Sequence, residues 1–497
     1  MGSDHWMLTV SMMLGSIDHE EVKACSISRI PDNIRAHKQE SYAPKVVSVG
    51  PLHRGATRQI LLMEEPKLRY TRYLLQRTSA NGTYPETLLK ELGNDILMLD
   101  NVVRASYGGN VELNSHDLAK IMTVDGCFLL ELLHRLDQYM NPQPGQQRED
   151  SGDPFLERTK VKCVLNDISM LENQIPFFVL KILYRNLFPD QNNTQVEEDH
   201  RVANLMCKAF RYNLQNRSGS AHLLHLMHLS TVGEDNNQNN NGLMRQARPE
   251  LKRCAMRLRA AGITIKAAGT GSNNVPKGNA NANVVVSANN NLVNNGSNDE
   301  LVDIFDFNIT FNDKEKILEI PPLHIKETTE VRWRNLIAWE KSMISVRGKY
   351  ASYAFFFTSL ICCRHDLKLL LKKGVIVNNE LKKSKEELMT MFRELCDGAE
   401  HMDSSYSNLC EQLNTEKRPT LVTELFCKWP IITRHNCKHV LEKAVYYGRN
   451  GFRILIRDHI STVWKFIGVF VAAVLLVLTI MQTVYSAKQT NYAAKGH

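Results

Sequence analysis

The sequence holds no Cys-x-x-Cys pair, and its eleven cysteines show no zinc-type spacing with histidine and an odd total. Neither a disulfide framework nor a structural metal site is indicated, and a reducing compartment fits best. Gly-x-Ser-x-Gly, the P-loop pattern, His-Glu-x-x-His and Gly-x-Gly-x-x-Gly are all missing, which removes the usual signatures of hydrolases, nucleotide binders and zinc proteases. No Lys or Arg precedes the apolar run at 6–14, so it makes a poor secretory signal. The basic stretch 245–259 lacks interleaved aromatics, and its Leu251, Ala255 and Leu258 read as a core-facing stripe, so no nucleic-acid partner is assigned. A mean hydropathy of -0.30 excludes a multi-spanning protein.

What is present is ordinary globular material: 497 residues, 43% hydrophobic and 23% charged, with a net charge of +8. That is enough chain for a large core. One long apolar run stands out. Residues 466–481 read FIGVFVAAVLLVLTIM, and 482–484 extend them to nearly the about 20 residues a bilayer-spanning helix needs. Phe466 begins the run, Lys465 can reach the headgroups, and Trp464 and Tyr485 bracket it as interfacial rings. Between 428 and 465 eight Lys or Arg face two acidic residues, and Arg449, Arg453 and Arg457 recur every four residues, lining a helix face suited to anionic lipid. These features predict a transmembrane helix over 463–485 with a short tail, 486–497. Membrane lipid is its expected partner, with the body on the cytosolic side of the plasma membrane or an endomembrane.

Ahead of that segment the pattern predicts a mainly α fold: a variable segment over 1–24 and a large helical body over 25–462 with a small β element. Residues 27–53, with Pro31, Pro44 and Pro51 around Val46, Val47 and Val49, read as strand and loop. Apolar residues at three and four spacing predict helices over 63–77, 85–103 and 115–136, the last starting at Ser115. The stripe Val164, Leu165, Ile168 and Leu171 predicts another, broken before Pro176 and resuming over 177–187. A helix closing at Gly262 and a strand over 263–266 follow, then a hairpin over 301–325 whose second strand Pro321 and Pro322 confine to an edge. Polar, Asn-rich insertions near 232–243 and 268–300 cannot build a core and are expected to be disordered; 270–299 alone carries eleven Asn.

Candidates for chemistry are few. Asp125 and Glu131 in DGCFLLELL and Glu172 in MLENQIPFF lie among large apolar groups. Burial could raise their pKa and let a pair work as acid and base, with His53 or His134 beside them; helix capping and backbone hydrogen bonding are the commoner use of such groups. His222, His225 and His228 invite a metal reading, but at about 100° per residue the third rotates off the face of the first two, so no metal or cofactor is assigned.

Several blocks together resemble the plant family known as domain of unknown function 247. These are ISRIPDNIR and YAPKVVSVGPLHRG within 27–55, Met63 to Lys67, DGCFLLELL at 125–133, DISMLENQIPFFVL at 167–180, AAGITIK at 260–266, LEIPPLHI at 318–325, RNLIAWE at 334–340 and the closing TIMQTVY. Trp339 stands where Phe or a similar aromatic is usual. The resemblance implies a plant membrane protein without assigned biochemistry; some grass members belong to self-incompatibility loci as pollen-side determinants. The expected function is recognition of a protein partner by loops on a helical scaffold, with an unrecognised hydrolase as the rival.

Overall fold

Most of the described residues are helical. In order the helices are α1 (Asp32–Arg35), α2 (Arg58–Leu62), α3 (Glu64–Thr78), α4 (Pro85–Met98), α5 (Asp100–Ala105), α6 (Ser115–Met140), α7 (Val161–Asp167), α8 (Phe177–Leu187), α9 (Gln195–Ala209), α10 (Leu223–Val232), α11 (Ala255–Ala260), α12 (Thr329–Ser342), α13 (Lys349–Leu360), α14 (Arg364–Lys372), α15 (Lys385–Glu394) and α16 (Ser407–Thr415). The computed structural model describes residues 25–78, 84–140, 153–157, 160–189, 195–210, 212, 219–232, 250–269, 305–343, 346, 348–378, 383–397, 406–416, 475, 478–479 and 482. The expected Asn-rich insertions fall almost wholly outside them. The chain divides into two units, Met1–Ala255 with Thr264–Thr415, and Met256–Ile263 with Glu416–His497.

In the first unit α6 is the central helix, with α3, α4, α8 and α9 packed around it. Its inner positions Met122, Leu129, Leu133 and Leu136 are buried, which is the driving force for the cluster. Gly126 makes the α8 contact possible, because a Cβ there would overlap Leu183 Cδ1. The cap of α6 is Asn114, one residue before the expected start: its Oδ1 accepts the N–H of Asp117 at 2.8 Å. The expected helix over 85–103 is two helices, because Leu99 leaves the helical region at φ -101°, ψ 14°.

Strands are short. They are β1 (Ile27–Ser28), β2 (Tyr107–Gly108), β3 (Thr264–Ala267), β4 (Thr310–Asn312), β5 (Ile317–Ile320), β6 (Leu323–Ile325) and β7 (Ile376–Asn378). β1 pairs with β2 and β6 with β7, both parallel, and the third sheet has the order β3-β5-β4. The β4–β5 hairpin is as expected, but β5 sits in the middle of its sheet. Pro321 and Pro322 end β5 at Ile320 instead of pushing it to an edge, so its N–H groups stay available to both neighbours. Phe305 and Phe307 lie outside any strand and bury against Tyr350 at ring distances of 5.2 and 4.9 Å.

The expected membrane-crossing helix does not stand. Among the described residues no helix is long and apolar enough to cross a membrane. Of 463–485 the described residues are Leu475, Leu478, Thr479 and Gln482, helical and exposed; Trp464, Lys465, Phe466 and Tyr485, with Arg449, Arg453 and Arg457, lie outside the description. An uncharged run meets the hydropathy criterion by composition alone. A span further requires a continuous helix that satisfies every backbone group internally.

Candidate functional site

Residues 45–50 carry the β-rich valines, yet no strand pairs with them; their backbone N–H groups find side chains instead. Asp167 Oδ1 accepts from Lys45 N at 3.0 Å, and Oδ2 from Val46 and Val47 N at 2.7 and 3.0 Å. Asn173 Oδ1 accepts from Val49 N at 2.7 Å while its Nδ2 donates to Val47 O at 3.0 Å. Asp125 Oδ2 accepts from Gly50 N at 3.0 Å, and Lys67 Nζ bridges Asp125 Oδ1 at 2.6 Å and Ser48 O at 3.0 Å. A buried unpaired backbone group is costly, so this segment is held by the very motifs singled out above. The helix predicted from Val164, Leu165, Ile168 and Leu171 therefore stops at Asp167, and 168–174 become a turn from which Glu172 and Asn173 reach residues 30–49.

Glu172 works one step earlier in the chain. Its Oε1 accepts from Ile30 N at 2.6 Å and from Arg35 Nη2, and His53 Nε2 lies 2.9 Å from Oε2. Gln174 ties the same turn to α10, its Oε1 accepting from Leu224 N at 3.1 Å, and Asn335 ties it to α12, its Oδ1 accepting from Leu171 N at 3.0 Å. Glu340, also on α12, accepts from Tyr350 and Ala351 N at 2.9 Å each and meets His228 Nε2 at 2.9 Å.

Burial raises the Asp125 carboxyl against the pull of Lys67, and pushes Asp167 up to about 6 against its three N–H donors. For Glu172 burial also pushes upward, but His53, Arg35 and Ile30 outweigh it and hold the carboxyl below its usual value. Glu340 is raised by burial, with His228 opposing.

Of the candidate acid–base groups, the structure brings Glu172 and His53 together and places Asp125 with Lys67 rather than with a histidine. Glu131 is buried on α6 and holds Arg77 Nη2 at 2.9 Å and Arg135 Nε at 2.8 Å. His134, one turn on, meets Gln138 Nε2 at 3.1 Å. Burial and then Arg77 lower the His134 pKa. The His222, His225 and His228 rings gather around Trp339, at 6.1, 4.6 and 4.9 Å, with His222 Nε2 3.1 Å from Ser26 O and His225 Nδ1 accepting from Ala221 N at 2.9 Å. A different trio, Cys254, Cys362 and Asp366, has ligand atoms within 4.8 Å of one another, but Asp366 Oδ2 already accepts from Cys362 and Cys363 N at 3.2 and 2.9 Å.

Sequence reasoning missed Asp167, Asn173, Asn335 and Glu340 as partners because their donors lie elsewhere in the chain. It also missed an open cleft against α6, in which His134 stands with Arg77, Arg201 and Lys208. The signal available was weak: Arg201, Asn204, Leu205 and Lys208 share one helix face.

The DUF247 family model, described as plant protein of unknown function, matches residues 27–478. The chain is similar to the UPF0481 protein At3g47200 of Arabidopsis thaliana, 31% identical over 163 residues, covering 33% of this chain and 31% of that one. It is also similar to the Putative UPF0481 protein At3g02645 of Arabidopsis thaliana, 28% identical over 180 residues, covering 35% of this chain and 30% of that one. The matched stretch thus spans less than a third of either relative's length. No solved structure matches.

Proposed function

We propose a recognition function without catalysis for this chain, which belongs to the DUF247 family of plant proteins of unknown function. The observation that carries the reading is the use made of the motif carboxylates. Asp125, Asp167 and Glu172 are buried, and each accepts backbone N–H groups from residues 30–50. A general acid or base must reach a proton on a substrate, whereas these oxygens are committed to the chain's own backbone and to Lys67, Arg35 and His53.

The outer side of α2 and α3 supports the same reading. Leu61, Leu62 and Leu68 are 56%, 58% and 54% exposed, with exposed Arg58 and Arg72 on the same two helices. Leucines in water beside guanidinium groups suit a protein partner that presents an apolar, acidic face. A pollen-side self-incompatibility determinant is the narrower form of this proposal, carried by the family resemblance.

A photo-crosslinking residue placed at Leu68 in the full-length chain, expressed in plant tissue, should yield one discrete protein adduct. Leu61→Asp with Leu62→Asp should remove the adduct without moving the unfolding midpoint. Absence of any adduct counts against the proposal. So does hydrolysis of a model ester, glycoside or phosphoester that Glu172→Gln abolishes while the fold is retained.

A further inference from the structure

Away from the motif network, a cleft of about 500 Å³ opens between α3, α6, α8 and α9, each contributing one stripe of side chains. That volume is in the range, roughly 300 to 1,000 Å³, of small-molecule sites. Arg77 on α3 and Arg201 and Lys208 on α9 bring three permanent cations to it, against one lining carboxylate, Asp137. Arg77 is anchored from behind, because the buried Glu131 holds its Nη2 at 2.9 Å. The lining is also aromatic, with the Tyr184 and Phe188 rings 4.8 Å apart, and it includes the buried Leu74 and Leu130.

We propose that this cleft binds a small aromatic molecule carrying one anionic group. The anion sits between Arg77, Arg201 and Lys208, where a carboxylate, sulfate or phosphate ester receives charge-assisted hydrogen bonds. The ring lies on Tyr184 and Phe188, so both halves of the ligand contribute. Nothing in this site depends on the partner surface of α2 and α3.

Calorimetric titration of the full-length protein with 1-naphthyl phosphate tests the proposal, with 1-naphthol and inorganic phosphate as its two halves. The expected result is saturable one-to-one binding of the whole molecule, with each half at least about tenfold weaker. Arg201→Gln with Lys208→Gln should weaken binding about a hundredfold, since two charged hydrogen bonds are lost and each is worth about tenfold or more. Asn204→Trp, at an exposed rim position, should fill the cleft and remove binding while thermal melts show both variants folded. No saturable binding, binding unchanged in both variants, or 1-naphthol binding as tightly as its phosphate ester overturns the proposal. The cross-link from Leu68 should persist in Asn204→Trp, so the two readings fail separately.

Discussion

Lys67 and Asp125 form an ion pair from which water is shut out: both residues are 0% exposed, and Nζ lies 2.6 Å from Oδ1. The pair is also the clamp on one loop, since Lys67 donates to Ser48 O and Asp125 accepts from Gly50 N, at 3.0 Å each. A residue of α3 and a residue of α6 are thereby joined through the N-terminal motif block, and a change at either is felt at the other.

Removing one partner leaves an uncompensated charge or an orphaned donor in the core. Lys67→Met and Asp125→Asn should each lower the unfolding free energy by about 3 to 5 kcal/mol. Lys67→Met combined with Asp125→Asn should cost less than the two single losses added together, because the two charges that face each other are removed together while Glu64 keeps its pair with Arg54. Urea unfolding of the four proteins measures the coupling, and strict additivity would refute the clamp.

Glu172 should make the protein acid-sensitive. Its folded pKa is depressed below the ordinary 4.5, so its contribution is present above that value and is lost as pH falls through the folded one. Glu172→Gln should lower the urea midpoint at neutral pH and flatten the acid limb as pH falls below about 4.5. A limb as steep in the variant as in the native chain excludes Glu172 as its source.

Asp167 should tilt the curve the other way. Its folded pKa is raised from 3.8 to about 6, so stability is complete below the unfolded value and declines as pH rises through that window. The loss is on the order of 3 kcal/mol, from about 1.4 kcal/mol per pH unit. Asp167→Asn removes the titration, and subtracting its pH profile from that of the native chain should leave this downward slope.

Gly50 is required by geometry. Its φ is +78°, and a Cβ would stand 2.7 Å from the Gln174 carbonyl oxygen, a backbone atom that also accepts from Tyr107 Oη at 3.0 Å. Gly50→Ala should therefore cost about 2 kcal/mol or more, from the left-handed backbone together with the overlap. A variant within about 0.5 kcal/mol of the native chain would mean that the loop relaxes freely.

Helices with a sustained apolar stripe were legible within a few residues: 63–77 became Glu64–Thr78, and 177–187 was met at both ends. The hairpin turn at 312–315 and the stop at Gly262, with φ +89°, were legible from turn chemistry. Val46, Val47 and Val49 misled, because β propensity describes a pleated surface and these residues have Asp167 and Asn173 for partners instead of a strand. The carboxylates were identified as buried from their apolar surroundings, but which donors they serve was not, since Glu172 meets Ile30 across 142 positions.

Read alone, the sequence determined the family, the helical majority and the residues that would be polar inside a core, because periodicity and motif content are local properties of the chain. Tertiary structure alone decided that Asp125, Asp167 and Glu172 bind the protein's own backbone, that β5 lies inside its sheet, and that four helices converge on a cationic cleft. Each of these is a contact between residues far apart in the chain, and a hydrogen bond or a cleft is set by where the folded backbone brings its groups, which no local period encodes.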